Sequence, residues 1–346
     1  MRVCRDQPLG STRRHTLADL VQKREDGEVM LDCVVVDAGA RYGLHPTWAD
    51  LRGIAEFHLF EMDEEEAARL KKKYQADARI TIYPIALYSS DATLTFRVSE
   101  HQALNSVFLS NEKLLQSNEY MLRDFAVTAE RTTQARALDS LFSDREIHFL
   151  KLDVEGAELE LLKGAKKLLQ ASVLGVRSEV LFAPVYQDAP LFGELHRVML
   201  DNGFELLNFD YTGAGNKAGR FTMPGRYGKL LSSDAVWVVG YDRLFAAKGD
   251  RLVRDVIRLA IFMMMNGATD LAIDLLLRAV TREAISFDAY RNDPLFVVMH
   301  RKALLLFKSL LSLPMLQEDE VTQAYKTIFA RDFPLMNQFY QSDLFE

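Results

Sequence analysis

Between residues 30 and 241, short apolar runs alternate with longer segments of helical spacing, and this alternation narrows the fold more than any other feature of the chain. Residues 31–36 form a valine-rich run that ends at Asp37 and a glycine-bearing turn. His58, Leu59 and Phe60 lead into Glu61, and residues 64–74 then read as a helix with Ala67, Ala68 and Leu70 on one face. Further strands are predicted at 80–87, 149–154, 173–181, 204–209 and 235–239, with helices at 157–169 and 191–200. Asn202-Gly203 supplies a stop for the second of these helices. Strand and helix in alternation imply parallel pairing with helices on both faces. The last two strands have no helix between them and suit an antiparallel pair at the sheet edge. The expected architecture is α/β: a doubly wound sheet of seven mostly parallel strands.

Two stretches interrupt the rhythm. Residues 99–136 are polar and poor in regular signal, and so long a connection is expected to be functional or to carry small elements of its own. Residues 210–234 hold Gly213, Gly215, Gly219, Gly225 and Gly228 with Lys217, Arg220, Arg226 and Lys229 between them, which suits either a substrate lid or a surface connection. From Asp250 onward the strand signals stop. Residues 252–265, 269–281, 293–311 and 318–330 have helical apolar spacing, punctuated by Gly267 and Pro314. The expected organisation is a helical or irregular segment over 1–30, a Rossmann-like domain over 31–243 and an all-helical C-terminal region over 244–346. That region would pack on the sheet or join copies of the chain into a homo-oligomer.

Charge and cysteine usage restrict the partners. A formal net charge of -7 argues against a general nucleic-acid binder, which needs a basic face to displace counterions. Cys4 and Cys33 do not form a disulfide framework or a zinc-binding spacing. The opening residues lack the apolar core of a secretory signal, and no uncharged apolar run approaches the roughly 18 residues of a membrane span. The expectation is a cytoplasmic protein that acts on a small molecule, with no membrane partner.

Three motifs carry chemistry. In VVVDAGARYG, residues 34–43, a valine strand enters Asp37, and Gly39, Ala40 and Gly43 permit a tight turn. The dinucleotide fingerprint would place its first glycine where Asp37-Ala38 stands, so this loop is D-x-G-A-x-x-G. A carboxylate there repels a pyrophosphate but can pair with an ammonium, which disfavours a nicotinamide-dependent oxidoreductase. About twenty residues later, Glu61 of FHLFEMD ends the second strand, where an acid can accept from both hydroxyls of an adenosine ribose. The same acid could instead be a solvated group at a helix start, where Asp63 and Glu64 favour the macrodipole. In FLKLDVEGAELELLKGAKKLL, residues 149–169, Asp153 ends a strand and Glu155, Gly156 and Glu158 open the next helix. Acids crowded beyond the carboxyl ends of strands suit a general base, a cation or sugar hydroxyls.

Taken in order, D-x-G-A-x-x-G, the acid of FEMD, the AL of YPIALYSSD, the Ser106 region, RALDSLF and LKLDVEGAELELLKGA resemble the FkbM-type methyltransferases. The resemblance covers residues 34–241 and is most specific in the K-x-D-x-E-G-x-E run from Lys151 to Glu158. It implies a class I methyltransferase fold, S-adenosylmethionine as the donor, and O-methylation of a sugar or natural-product hydroxyl. It would set Asp37, Gly39 and Ala40 at the methionine end with Gly43 in the same turn, Glu61 at the ribose and Ala86 near the adenine. Arg41 departs from the asparagine usual at that place, and so either alters the cofactor contacts or points away. The helical tail lies outside the resemblance.

Methyl transfer to an alcohol needs alignment and removal of a proton. Asp153 or Glu155 is expected to act as the base or to orient the hydroxyl, assisted by Glu179. A divalent metal such as magnesium bridging these acids is a variant. His45, His58, His101 and His148 are alternative bases, with His45 the best placed. Two further readings are a catalytically inactive S-adenosylmethionine-binding or sensor module and a scaffold that works through its helical tail.

Overall fold

The computed structural model describes residues 33–53, 55–116, 119–210, 217–218 and 229–281. The segment 1–30, most of the basic glycine loop and the tail helices predicted at 293–311 and 318–330 lie outside the described residues.

The valine run becomes β1 (Val34–Ala38), buried on both faces as a central parallel strand must be. Parallel neighbours flank it. On one side lie β2 (Glu56–Phe60) and then β3 (Ile80–Tyr83); on the other lie β7 (Phe149–Leu152) and then β8 (Gly175–Leu181). β12 (Ser232–Val239) runs antiparallel to β8 and to the edge strand β9 (Phe204–Asp210). The full order is β3-β2-β1-β7-β8-β12-β9, seven strands as the sequence predicts, with the late pair antiparallel. The winding direction reverses between β1 and β7. Helices leaving those two strands diverge to opposite faces, which opens a crevice at their carboxyl ends.

Three expectations change in detail. The strand predicted over 80–87 stops at Tyr83, because Pro84 has no N–H to continue a ladder. Its remainder becomes β4 (Ala86–Leu87) of a second sheet, in the order β4-β6-β5. The polar stretch 99–136 contains a ten-residue strand, β6 (Val127–Arg136), paired antiparallel with β5 (Ala92–Ser99). Six consecutive exposed positions in β6 erase the apolar alternation that would have marked it. The helix predicted over 157–169 is broken at Ala165 into Glu158–Gly164 and Lys166–Ala171. Gly164 lies so close to the Tyr88 carbonyl oxygen that an added Cβ would sit 2.1 Å from it.

Helix α1 (Glu64–Lys73) is capped by Asp63, whose carboxylate accepts from the N–H groups of Glu65 and Glu66. Glutamates fill its first turn and lysines its last, both matching the helix dipole. Of the tail, α2 (Gly249–Met265) and α3 (Thr269–Thr281) meet at Asn266 and Gly267, the latter at φ 81°. Their apolar faces belong to the same core as the sheet. Phe262 of α2 stacks on Phe149 with ring centroids 4.9 Å apart, and Trp48 stacks on Phe149 from 6.2 Å. Gly175 makes room for this, since a Cβ there would lie 2.5 Å from the Phe262 ring.

Phe262→Ala should therefore cost about 3–5 kcal/mol, and Gly175→Ala about 1–3 kcal/mol through overpacking. Denaturant midpoints measured by circular dichroism check both values. An unchanged midpoint for either would mean that α2 does not seal this face of the sheet.

Candidate active site at the carboxyl ends of the strands

A cleft opens at the β1/β7 crevice. Its walls include Gly39, Arg41, Glu61, Ala86, Asn105, Asp153 and Glu155, with an apolar side made by Ile85, Leu87, Leu94 and Val107. The loop after β1 is pressed against the end of β7. Asp153 N donates to Ala38 O at 3.1 Å, and a Cβ on Gly39 (φ 78°) would stand 1.7 Å from the Asp153 carbonyl oxygen. No other residue fits there. Gly39 and Ala40 both donate their N–H groups to Phe60 O, at 3.1 and 3.0 Å, which ties the loop to β2.

Of the residues singled out from sequence, Gly39, Glu61, Ala86, Asp153 and Glu155 meet in this cleft. Asp37, Ala40, Gly43 and Glu179 lie outside its wall. Gly43 has a packing requirement of its own: at φ 100° its Cα faces Tyr74, whose hydroxyl would be 2.3 Å from a Cβ. Asp37 is fully buried and engaged with the chain's own groups. Its Oδ2 accepts from His45 N at 3.2 Å, and its Oδ1 lies 3.7 Å from Lys151 Nζ. Burial raises its pKa against the opposing pull of Lys151.

The Glu61 carboxyl is 5% exposed and accepts from Asp63 N at 2.8 Å. Desolvation pushes its pKa up to about 7. Arg41 does not point away: its guanidinium lines the cleft, donates to the side-chain oxygen of Gln102 and lies 3.7 Å from Asp63.

Beyond β7 the backbone takes a left-handed turn through Glu155 (φ 55°) and Gly156 (φ 100°). Glu158 folds back over this turn and accepts from Val154 N at 2.8 Å and Gly156 N at 3.1 Å. Its burial raises its pKa to about 7. Glu155 Oε2 accepts from the buried Tyr186 hydroxyl at 2.6 Å, and its backbone carbonyl accepts from Ser106 Oγ at 2.6 Å. Desolvation and the Asp153 charge push the Glu155 carboxyl well above the ordinary range, and the tyrosine bond opposes them. Glu179 is raised likewise, by desolvation and by Glu155, and its Oε2 has no hydrogen-bond partner among the described residues. One oxygen each of Asp153, Glu155 and Glu179 lies within 4.8 Å of the other two.

Three participants carried no assigned role in the sequence reading. Lys151 Nζ, nearly inaccessible, lies 2.9 Å from Asp153; a lysine inside an apolar strand was its signal. Arg177 of β8 donates to Asp210 at 2.7 Å and Asp234 at 2.6 Å, joining β8, β9 and β12. Tyr186 sits in a loop with no pattern to reveal it. The histidines fare less well. His45 lies beside the ionic cluster, where desolvation, Lys151 and Arg177 lower its pKa to about 4. His58 is bonded to Tyr83 and Glu56, and His148 accepts from Val34 N before the start of β7, at the far end of the sheet. His101 is exposed.

Strand order, the reversal at β1/β7 and an acid ending β2 together define a class I, Rossmann-like methyltransferase fold. Residues 37–206 match the family model described as the methyltransferase FkbM domain. No curated protein matches the sequence. Among solved structures, a methyltransferase FkbM from Methylobacillus flagellatus is 16% identical with a TM-score of 0.36, the alignment covering 61% of this chain and 44% of that one. The magnesium protoporphyrin IX methyltransferase from Synechocystis is 13% identical, covers 65% of this chain and 76% of its own, and has a TM-score of 0.32. Among the described residues, no helix is long and apolar enough to cross a membrane.

Glu61 carries a stability signature. Its folded pKa of about 7 exceeds the ordinary glutamate value of about 4.5, so the favourable state is the protonated one and stability falls as pH rises from about 4.5 through 7. Glu61→Gln keeps an acceptor for Asp63 N and removes the titration. The variant should match wild type near pH 4.5 and exceed it by up to about 3 kcal/mol above pH 7, as measured by urea unfolding at both values. A constant difference across that range would contradict the assignment.

Proposed function

We propose that the protein transfers the methyl group of S-adenosylmethionine to a hydroxyl oxygen of a sugar or natural-product small molecule. The observation that carries this reading is the meeting of Glu61, Asp153 and Glu155 in one cleft at the sheet's reversal point. The residues present fit the cofactor. The Glu61 carboxylate can accept from ribose hydroxyls, the apolar side around Ala86 and Leu87 suits an adenine, and the Gly39 turn leaves the backbone open to the methionine end. When bound, the cofactor supplies an electrophilic methyl group on a sulfonium.

The chain's own part is alignment and proton removal. With the cofactor supplying the methyl group, Glu155 would take the proton of the acceptor hydroxyl as that oxygen is methylated. The raised pKa of Glu155 makes it a stronger base than an ordinary carboxylate, and Tyr186 holds it in place. Asp153, fixed by Lys151, orients the acceptor, and Glu179 assists from beside Glu155. A partner that is small and rich in hydroxyls suits these acids, whereas a nucleic acid does not.

Methyl transfer from labelled S-adenosylmethionine to a panel of hydroxylated acceptors, with cofactor binding followed by calorimetry, tests the reading. Glu155→Gln should lose roughly 10²–10⁴-fold in turnover while cofactor affinity stays near wild type. Full activity would remove Glu155 from the mechanism, and a wild-type protein without affinity for the cofactor would end the proposal altogether.

The grouping of Asp153, Glu155 and Glu179 supports a second reading of the same site, in which these three carboxylates would hold a magnesium ion that helps orient the acceptor. Turnover should then vanish with a chelator and return with added magnesium. Activity indifferent to chelation would leave the carboxylates acting alone.

A further inference from the structure

One wall of the cleft is the turn that follows β5, and it carries a polar group that the proposed chemistry leaves unused. Asn105 is 5% exposed and lines the cleft. Its Oδ1 accepts from Ser99 N at 3.0 Å, which fixes the amide orientation, because a backbone N–H cannot donate to an NH₂ group. The Nδ2 end is therefore a donor of known direction. It is buried and has no hydrogen-bond partner among the described residues. Buried donors without partners are rare, since each loses its water and receives nothing in exchange.

The turn around Asn105 is held firmly. Arg97 N donates to Ser106 O at 2.7 Å and Ser106 N to Arg97 O at 3.2 Å, so Asn105 sits beside a β-bridge. Ser99 Oγ donates to Leu104 O at 3.0 Å, and Ser106 Oγ reaches the Glu155 carbonyl. An aspartate would serve the Ser99 bond equally well. What asparagine adds is an unpartnered donor on a residue of the cleft wall.

We propose that the Asn105 amide donates a hydrogen bond to an acceptor atom of the bound adenosyl ligand, either on its adenosine half or on its amino-acid carboxylate. The inference rests on the reading that this cleft takes S-adenosylmethionine. It assigns Asn105 to recognition of the cofactor: a ligand lacking the matching acceptor leaves the amide unpaired and is rejected for that reason.

Calorimetry on the full chain with S-adenosylhomocysteine and with 5′-methylthioadenosine, which lacks the amino-acid end, tests this. Asn105→Asp keeps the acceptor for Ser99 N and deletes the donor, and Asn105→Ser deletes the amide without adding charge. Both should bind S-adenosylhomocysteine roughly 10- to 100-fold more weakly, with melting temperatures confirming that they fold. An equal loss with 5′-methylthioadenosine places the partner on the adenosine half, and a loss confined to S-adenosylhomocysteine places it on the carboxylate. Unchanged affinity in either folded variant overturns the inference. If wild type itself binds neither compound, it is the proposed function that fails.

Discussion

The buried ammonium of Lys151 holds the two halves of the site in register. It lies 2.9 Å from Asp153 and 3.7 Å from Asp37, so one cation serves carboxylates at the ends of the two central strands. Desolvating these groups is costly, and such a cluster persists where its members compensate one another. Lys151 keeps its proton despite burial because both acids favour it. Without the ammonium, two acids would remain at the sheet's reversal point with their mutual repulsion unscreened, and the Gly39 loop packs directly on that point. Fold and site thus share one electrostatic anchor.

Much of the fold was legible because its central strands are buried on both faces and therefore read as uninterrupted apolar runs. Val34 to Val36 illustrates the signal. The second sheet was illegible for the opposite reason. β6 presents threonine, glutamate, arginine and glutamine to solvent and has no apolar period to detect, although its partner β5 does alternate Ala92, Leu94, Phe96 and Val98 with polar residues. The run over 80–87 looked continuous because local composition does not register that Pro84 hands the chain from one sheet to another.

The site was legible where a residue's position on a strand end fixes its direction. Glu61 and Asp153 both follow directly from the strand pattern. It was illegible where tertiary approach decides. Gly43 resembles a cofactor glycine in sequence, and the close approach of the Tyr74 hydroxyl, which also requires a glycine there, left no local signal. Tyr186 reaches Glu155 across 31 positions of chain, and Asn105 enters the cleft from a segment with no regular pattern. Glu155 itself occupies a left-handed backbone that costs a non-glycine residue on the order of 1–3 kcal/mol. Ser106, Tyr186 and the folded-back Glu158 together over-determine that conformation.

The folded-back carboxylate of Glu158 has a wider meaning. In many open α/β proteins the N–H groups between a central strand and its helix form a concave nest that grips a phosphate. Here the chain supplies its own anion: Val154 and Gly156 spend their donors on Glu158. The seat a phosphate would take is plugged from within.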